Sequence, residues 1–414
     1  MKTAKLYLNI NLEIRTLIEA VRAQGLNKIA EPLRYALAFM VILSFTGYYF
    51  LPSSQANNFP TYIVAILLMA DFCLSRKSHV QKSIAFRCVV VFLFYILLSV
   101  GWSQRSASNE ISSLLGNVAL LLTMILSIER CMRYFRWFGS CLLAALTFCA
   151  VVSSLFYLPS SYIDEGNPHG RLSTHSVAAI SYGSALVVSA YLIVKTSVFV
   201  SRLFWSLCFV VLGFACYRLE IDFVWLALAG SVSVIAFSRV WENRDTVLVF
   251  GWMALATCLL GAFLYLFDIV LVSNRQMIWE SVVNVAYDNN LVIGTGMLTP
   301  TMPTVDCDQF PAILNSFSSC NFQHPHNLFV SSLFRGGIIG LALLVLLFLV
   351  GISSALESDK DERWLVFAML SYCAIIFLFD GDQLVSKLDF VWLIFWLPVA
   401  LAIYLEAREL NEDW

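Results

Sequence analysis

The sequence predicts an all-α polytopic membrane protein with about 12 transmembrane helices and a large outward-facing loop between helices 9 and 10. Three observations carry this. The 414-residue chain is 59% hydrophobic and 13% charged, against about 45–50% and about 25% in soluble chains, and its mean hydropathy is +0.78. Apolar runs near the length needed to cross a bilayer, about 20 residues, recur throughout. Lys and Arg alternate from loop to loop, as the positive-inside bias requires. The net charge of −2 leaves no basic surplus for nucleic acid.

The apolar runs fall at about 33–51, 60–76, 86–103, 110–128, 136–158, 174–194, 202–217, 222–238, 246–271, 327–351, 363–379 and 389–405. The seventh and eighth are separated by Tyr217–Asp222, because Arg218, Glu220 and Asp222 would be costly at mid-membrane. One set of loops carries Arg76, Lys77, Lys82, Arg87, Arg130, Arg133, Lys195, Arg202, Arg239, Arg244, Lys360 and Arg363; the other carries only Arg105, Arg171, Arg218, Arg275 and Lys387. Both termini are therefore expected in the cytoplasm.

Residues 1–32 form a cytoplasmic arm whose middle, E-I-R-T-L-I-E-A-V-R-A-Q-G, reads as an amphipathic helix lying on the inner face. No stretch there reads as a cleavable signal peptide. The first four spans carry few internal charges and read as scaffold. The loop before the sixth span, Y-I-D-E-G-N-P-H-G-R-L-S-T-H-S, is turn-rich and contains Arg171. It reads either as a wall of a polar site or as an ordinary exposed loop. Arg218 likewise admits two readings, an anion-binding group at the outer surface or a snorkelling Arg paired with Glu220 or Asp222.

The loop 272–326 is the longest polar interruption of the chain. Arg275, Ile278, Trp279, Val282 and Ala286 follow helical spacing, and Gly294-Thr295-Gly296 marks a turn. A helix opening at Arg275 offers N–H groups and a guanidinium to a phosphate; the plainer reading is a solvated Arg on a surface helix. Cys307 and Cys320 lie 13 apart, a spacing that permits a disulfide on an oxidising face and equally permits two free thiols. The loop closes on His324-Pro325-His326-Asn327, so His326 stands at the start of the tenth span. An imidazole there suits proton transfer near neutral pH, or a simple interfacial hydrogen bond. Gly336 and Gly340 allow close helix packing. Arg335, two turns inside the span, needs a polar cavity or a carboxylate. Asp380 and Asp382 are candidates for acid–base or metal chemistry, for solvation, or for pairing with Arg335 or Lys387. Residues 33–271 and 327–405 thus hold the spans, and 406–414 form a short acidic tail.

Arg218, Arg275 and His326 share the outer side, a set that suits a diphosphate leaving group and a hydroxyl acceptor. At these residues the chain resembles the O-antigen ligases of the bacterial inner membrane. His326-Asn327, nine residues, then Gly337-Ile338-Ile339-Gly340 match the family's H-N-x9-G-x-x-G. Arg275-Gln-Met-Ile278-Trp279 and Leu291-Val-Ile-Gly294-Thr-Gly296 are similar to its R-x-x-(I/M)-(W/Y)…P-x-x-G-x-G, with Leu291 in place of Pro. Tyr217-Arg218-Leu219 stands at its (S/T)-R-x turn, with Tyr217 replacing the small hydroxyl residue, and Gly170-Arg171-Leu172-Ser173 resembles its approach to the sixth span.

The resemblance implies a GT-C-like fold and a metal-independent, cofactor-free inverting glycosyl transfer at the periplasmic face. Its partners would be an undecaprenyl-diphosphate-linked glycan as donor, lipid A-core as acceptor, and membrane lipids. By matching positions, Arg218 and Arg275 would bind the diphosphate, with Arg171 a further candidate. His326 would act on the acceptor hydroxyl, with Asn327, His324, Gly337 and Gly340 supporting it. O-antigen polymerases and protein O-oligosaccharyltransferases share the superfamily. A transporter of lipid-linked glycan is disfavoured, because the charges gather at one surface and no internal repeat is evident.

Overall fold

The computed structural model describes residues 30–51, 54–74, 80–103, 108–157, 172, 174–242, 272–299, 325–358, 362–386 and 388–410; for residues 54–58, 157, 239–242 and 272–277 it describes the backbone alone. No β-strand occurs among them. The helices are α1 (30–47), α2 (Ser54–Leu74), α3 (Ile84–Ser99), α4 (Ser108–Tyr134), α5 (Phe138–Tyr157), α6 (His175–Lys195), α7 (Phe199–Arg218), α8 (Asp222–Glu242), α9 (Val272–Asn290), α10 (Leu328–Glu357), α11 (Glu362–Phe379) and α12, whose first turn is a π-helix (Trp392–Trp396) running into Leu397–Glu409.

Seven of these helices are long and apolar enough to cross a membrane by length and composition. The apolar parts of α2 and α8, Phe59–Leu74 and Asp222–Ser238, are shorter. The ninth expected span, 246–271, and the amphipathic arm lie outside the described residues. The π turn of α12 has a local cause. Pro398 has no N–H to give, and the preceding Leu397 N–H bonds back five residues to the Trp392 carbonyl.

α6 is the centre of the bundle. Ala178 through Leu192 are all buried, and the helix packs against α5, α7 and α8, with α11 closing on it. Small residues make this possible. A Cβ at Gly183 would stand 2.2 Å from the Tyr372 hydroxyl of α11, which donates to the Ile180 carbonyl at 2.9 Å. Where lipid tails are as apolar as the side chains, such close approach and interhelical hydrogen bonds take over from hydrophobic burial as the source of association.

Buried charges bind the helix ends. Asp71 near the end of α2 meets Arg34 of α1 and Arg130 of α4, each at 3.3 Å, and accepts from the Tyr134 hydroxyl at 3.0 Å. Glu406 in α12 accepts from Ser83 Oγ (2.8 Å), from the Ile84 and Ala85 amides at the start of α3 (2.7 and 3.2 Å), and from Ser354 Oγ near the end of α10 (3.0 Å). A carboxylate at a helix N-terminus satisfies amides that have no intrahelical partner. These contacts gather the starts of α1 and α3 and the ends of α2, α4, α10 and α12 at one end of the bundle. That alternation agrees with the distribution of Lys and Arg in the sequence.

Candidate functional site

The opposite end is organised around a break in α10. Gly337 has φ 62° and ψ −164° inside an otherwise helical run, a region essentially confined to glycine. A regular helix would bond the Ile338 and Ile339 amides to the Phe334 and Arg335 carbonyls. Here Ile338 N donates to Leu291 O (2.8 Å) and Ile339 N to Val292 O (3.2 Å), while Phe334 O and Arg335 O accept from Thr295 N and Gly296 N, both at 2.9 Å. The segment 291–296 therefore supplies partners for these four groups at the break, as buried backbone requires. The approach leaves no room for side chains. A Cβ at Gly294 would lie 2.5 Å from the Arg335 carbonyl carbon, and one at Gly337 2.3 Å from Val292 O.

The third span is part of this arrangement, although its sequence reads only as scaffold. The Tyr95 hydroxyl donates to Gly336 O (2.5 Å) and lies 3.3 Å from Ile293 O, which also accepts from Trp102 Nε1 (3.3 Å). Ser99 Oγ and Ser103 Oγ accept from the Met297 and Leu298 amides, each at 3.1 Å. Tyr95→Phe removes the hydroxyl and keeps the ring. We expect a loss of about 1–2 kcal/mol from the two carbonyls it serves, read as a lower unfolding temperature of the purified protein.

His326 precedes α10 with φ 49°, a left-handed conformation that histidine, asparagine and aspartate adopt more readily than other non-glycine residues. Asn327 then caps the helix, its side chain accepting from the Val330 amide at 3.1 Å. The imidazole Nδ1 lies 3.5 Å from Asp380 Oδ1; the His326 side chain is 45% exposed and that of Asp380 16%. The imidazole is therefore partly exposed while the carboxylate beside it is mostly covered.

Arg335 answers the need for a carboxylate with Asp382. Its Nη2 meets Asp382 Oδ2 at 3.0 Å, its Nη1 donates to the Asp382 carbonyl at 3.1 Å, and Ser331 Oγ donates to that carbonyl at 2.7 Å. The turn carrying Asp380 is thereby clamped to the first half of α10. Beside it, a cavity of about 30 Å³ between α3 and α10 is bordered by Tyr95, Ser99, Ser331, Arg335 and Asp382. The Asp380-Gly381-Asp382 carboxylates thus take His326 and Arg335 as partners, and no cluster of three metal-ligating side chains occurs among the described residues.

Helix α9 lies on α10. Ile278, Val282 and Ala286 bury against Phe334, and Trp279 Nε1 donates to the Pro325 carbonyl, next to His326, at 3.0 Å. Arg275 is in the first turn of this helix, four residues before Trp279, or about 6 Å along its axis; its side chain lies outside the described residues. Arg218 is the exposed last residue of α7 and makes no ion pair among the described residues. Phe223 and Phe379 stack at 5.9 Å, which brings the Arg218–Asp222 turn to the end of α11 that carries Asp380. Glu220, at φ 55°, makes that turn tight.

The structure thus joins the His326 motif to the Arg275 helix and the Gly294–Gly296 turn, and turns Arg218 to the same end. Arg171, His324, Cys307 and Cys320 lie outside the described residues. Sequence reasoning missed Asp380 as the partner of His326, and Tyr95, Trp102, Ser99 and Ser103 as part of the framework. The available signal was a pair of serines, Ser99 and Ser103, with Trp102 at the end of a span. No protein-family model and no curated protein matches the chain.

Proposed function

We propose that the chain is a glycosyltransferase of the O-antigen ligase type. It would transfer a glycan from undecaprenyl diphosphate to a sugar hydroxyl of lipid A-core at the periplasmic face of the bacterial inner membrane. The observation that carries this reading is the His326–Asp380 pair, held at a capped helix start and tied through Pro325 and Trp279 to the helix bearing Arg275.

In this reading the acceptor hydroxyl approaches the open edge of His326. As its oxygen bonds to the anomeric carbon, the bond from that carbon to the diphosphate oxygen breaks and the configuration inverts. The hydroxyl proton passes to the imidazole, and Asp380 orients the ring and stabilises the imidazolium. The electron pair leaves with the diphosphate, whose growing charge needs fixed cations; Arg275 and Arg218 have that role, with Arg171 a further candidate from the sequence. Chemistry needs only the residues of the chain.

The test is a lipopolysaccharide gel of a strain lacking the gene. Unsubstituted core together with accumulated lipid-linked polymer is the expected result. Core bearing a single repeat unit would instead identify a polymerase and overturn the ligase reading.

A further inference from the structure

At the other end of the bundle, a cavity of about 50 Å³ lies between the α4–α5 turn, the end of α6, the start of α11 and the last turns of α12. It is several times the volume that one water occupies, about 10–15 Å³. Its floor is apolar: Leu143, Leu192, Leu365, Leu401 and Leu405 line it, all buried. Its rim is polar and cationic, with Arg136, Lys195 and Ser140, and Tyr191 and Tyr404 beside them.

Charge on this rim does not cancel. Lys195 Nζ pairs with Glu362 Oε1 at 2.6 Å and sits 5.5 Å from the Tyr191 ring centroid. Glu362, itself on the rim, is thereby matched by Lys195. Arg136 is a second cation there; it is exposed and makes no ion pair among the described residues, so the described rim holds one cation more than it holds acids. Next to it Trp137 is 46% exposed, as aromatic residues are where a helix end meets the lipid headgroups. A net positive rim over an apolar floor, at an interfacial level, has the chemistry of an anionic lipid and not of a soluble ion alone.

We propose that this cavity binds the headgroup phosphate of an anionic phospholipid from the adjoining leaflet. Arg136 and Lys195 face the phosphate, and Ser140 offers a hydroxyl to it. The glycerol end of an acyl chain lies against the leucines. The site is remote from His326 and depends on no assigned activity.

The experiment uses the full-length purified chain, delipidated in detergent, with unfolding temperature and native mass spectrometry as readouts. Dioleoyl-phosphatidylglycerol is expected to raise the unfolding temperature and to remain bound in the gas phase. Dioleoyl-phosphatidylcholine and inorganic phosphate are expected to do neither. Arg136→Ala, an exposed change that leaves the core intact, should weaken phosphatidylglycerol binding roughly fivefold, the equivalent of one cation near a membrane surface. Glu362→Gln should strengthen it, because the competing carboxylate is gone. Equal stabilisation by phosphatidylcholine, an equal effect of phosphate alone, or unchanged binding in Arg136→Ala would each overturn the proposal.

Discussion

His326→Ala is expected to lower glycan transfer by about 10²–10⁴-fold, the usual contribution of a positioned general base, while the protein still inserts and purifies normally. The geometry sets the control. His326 sits at φ 49°, so alanine removes the imidazole and also occupies a backbone conformation it disfavours. Asparagine tolerates that conformation and has no comparable base. If the imidazole does the chemistry, His326→Asn and His326→Ala lose activity alike. Activity retained in His326→Asn would assign the residue a conformational part only. Asp380→Asn, which keeps shape and removes charge, should fall between wild type and the His326 variants. The measurement is transfer by purified protein from a lipid-linked donor, with intact folding checked by the unfolding temperature.

Gly337→Ala is expected to destabilise the protein by roughly 4 kcal/mol, the sum of forcing a side chain into a glycine-only backbone region and overpacking its surroundings. The neighbours cannot move aside. The atoms within 2.6 Å of the added Cβ are the Val292 carbonyl and the Gly294 amide, backbone already committed to hydrogen bonds with the Ile339 amide and the Asn290 carbonyl. Gly336→Ala is the matched comparison. There the added Cβ would meet only the Tyr95 ring, at 3.5 Å, an ordinary contact, and the change should be nearly neutral. Comparable losses in both variants would mean that the break is not what glycine is needed for. Thermal unfolding and yield of monodisperse protein distinguish the two results.

Much of the fold is legible in the sequence because a bilayer imposes a length and a polarity on every span. Eleven of the twelve expected runs coincide with described helices, often within a few residues at each end. The cut at Tyr217–Asp222 was legible for the same reason, since charges at mid-membrane are expensive. The tenth span reads as one helix, yet it breaks at Gly337. Hydropathy does not register the break, because Gly336 through Gly340 are as apolar as their neighbours. The break is sustained by the segment 291–296, some 40 residues upstream, which accepts and donates its backbone hydrogen bonds, and by Tyr95, which donates to the Gly336 carbonyl.

The candidate site divides along similar lines. Arg275 and Gly294 stood out by a helical repeat and a glycine-rich turn and His326 by its place at the start of a span, whereas Asn327 and Gly337 stood out only through the motif that resembles the O-antigen ligases. Their mutual placement was not local. Trp279 reaching the Pro325 carbonyl joins residues 46 apart, and Tyr95 reaching the Gly336 carbonyl joins residues 241 apart. No periodicity carries a contact of that kind. The third span looks like scaffold because it carries few internal charges, and the partners of its hydroxyls, carbonyls for Tyr95 and amides for Ser99 and Ser103, lie in other segments.

The sequence by itself determined that this chain is helical, apolar and repeatedly of spanning length, and which loops carry positive charge. Those properties follow from the solvent each residue must meet, which is a property of residues taken one run at a time. The tertiary structure alone decided that α10 is broken, that Asp380 stands beside His326, and that Arg335 clamps the Asp382 turn. Each of these is a settlement between buried polar groups that must find partners, and those partners lie far away in the chain and close only after the helices have packed.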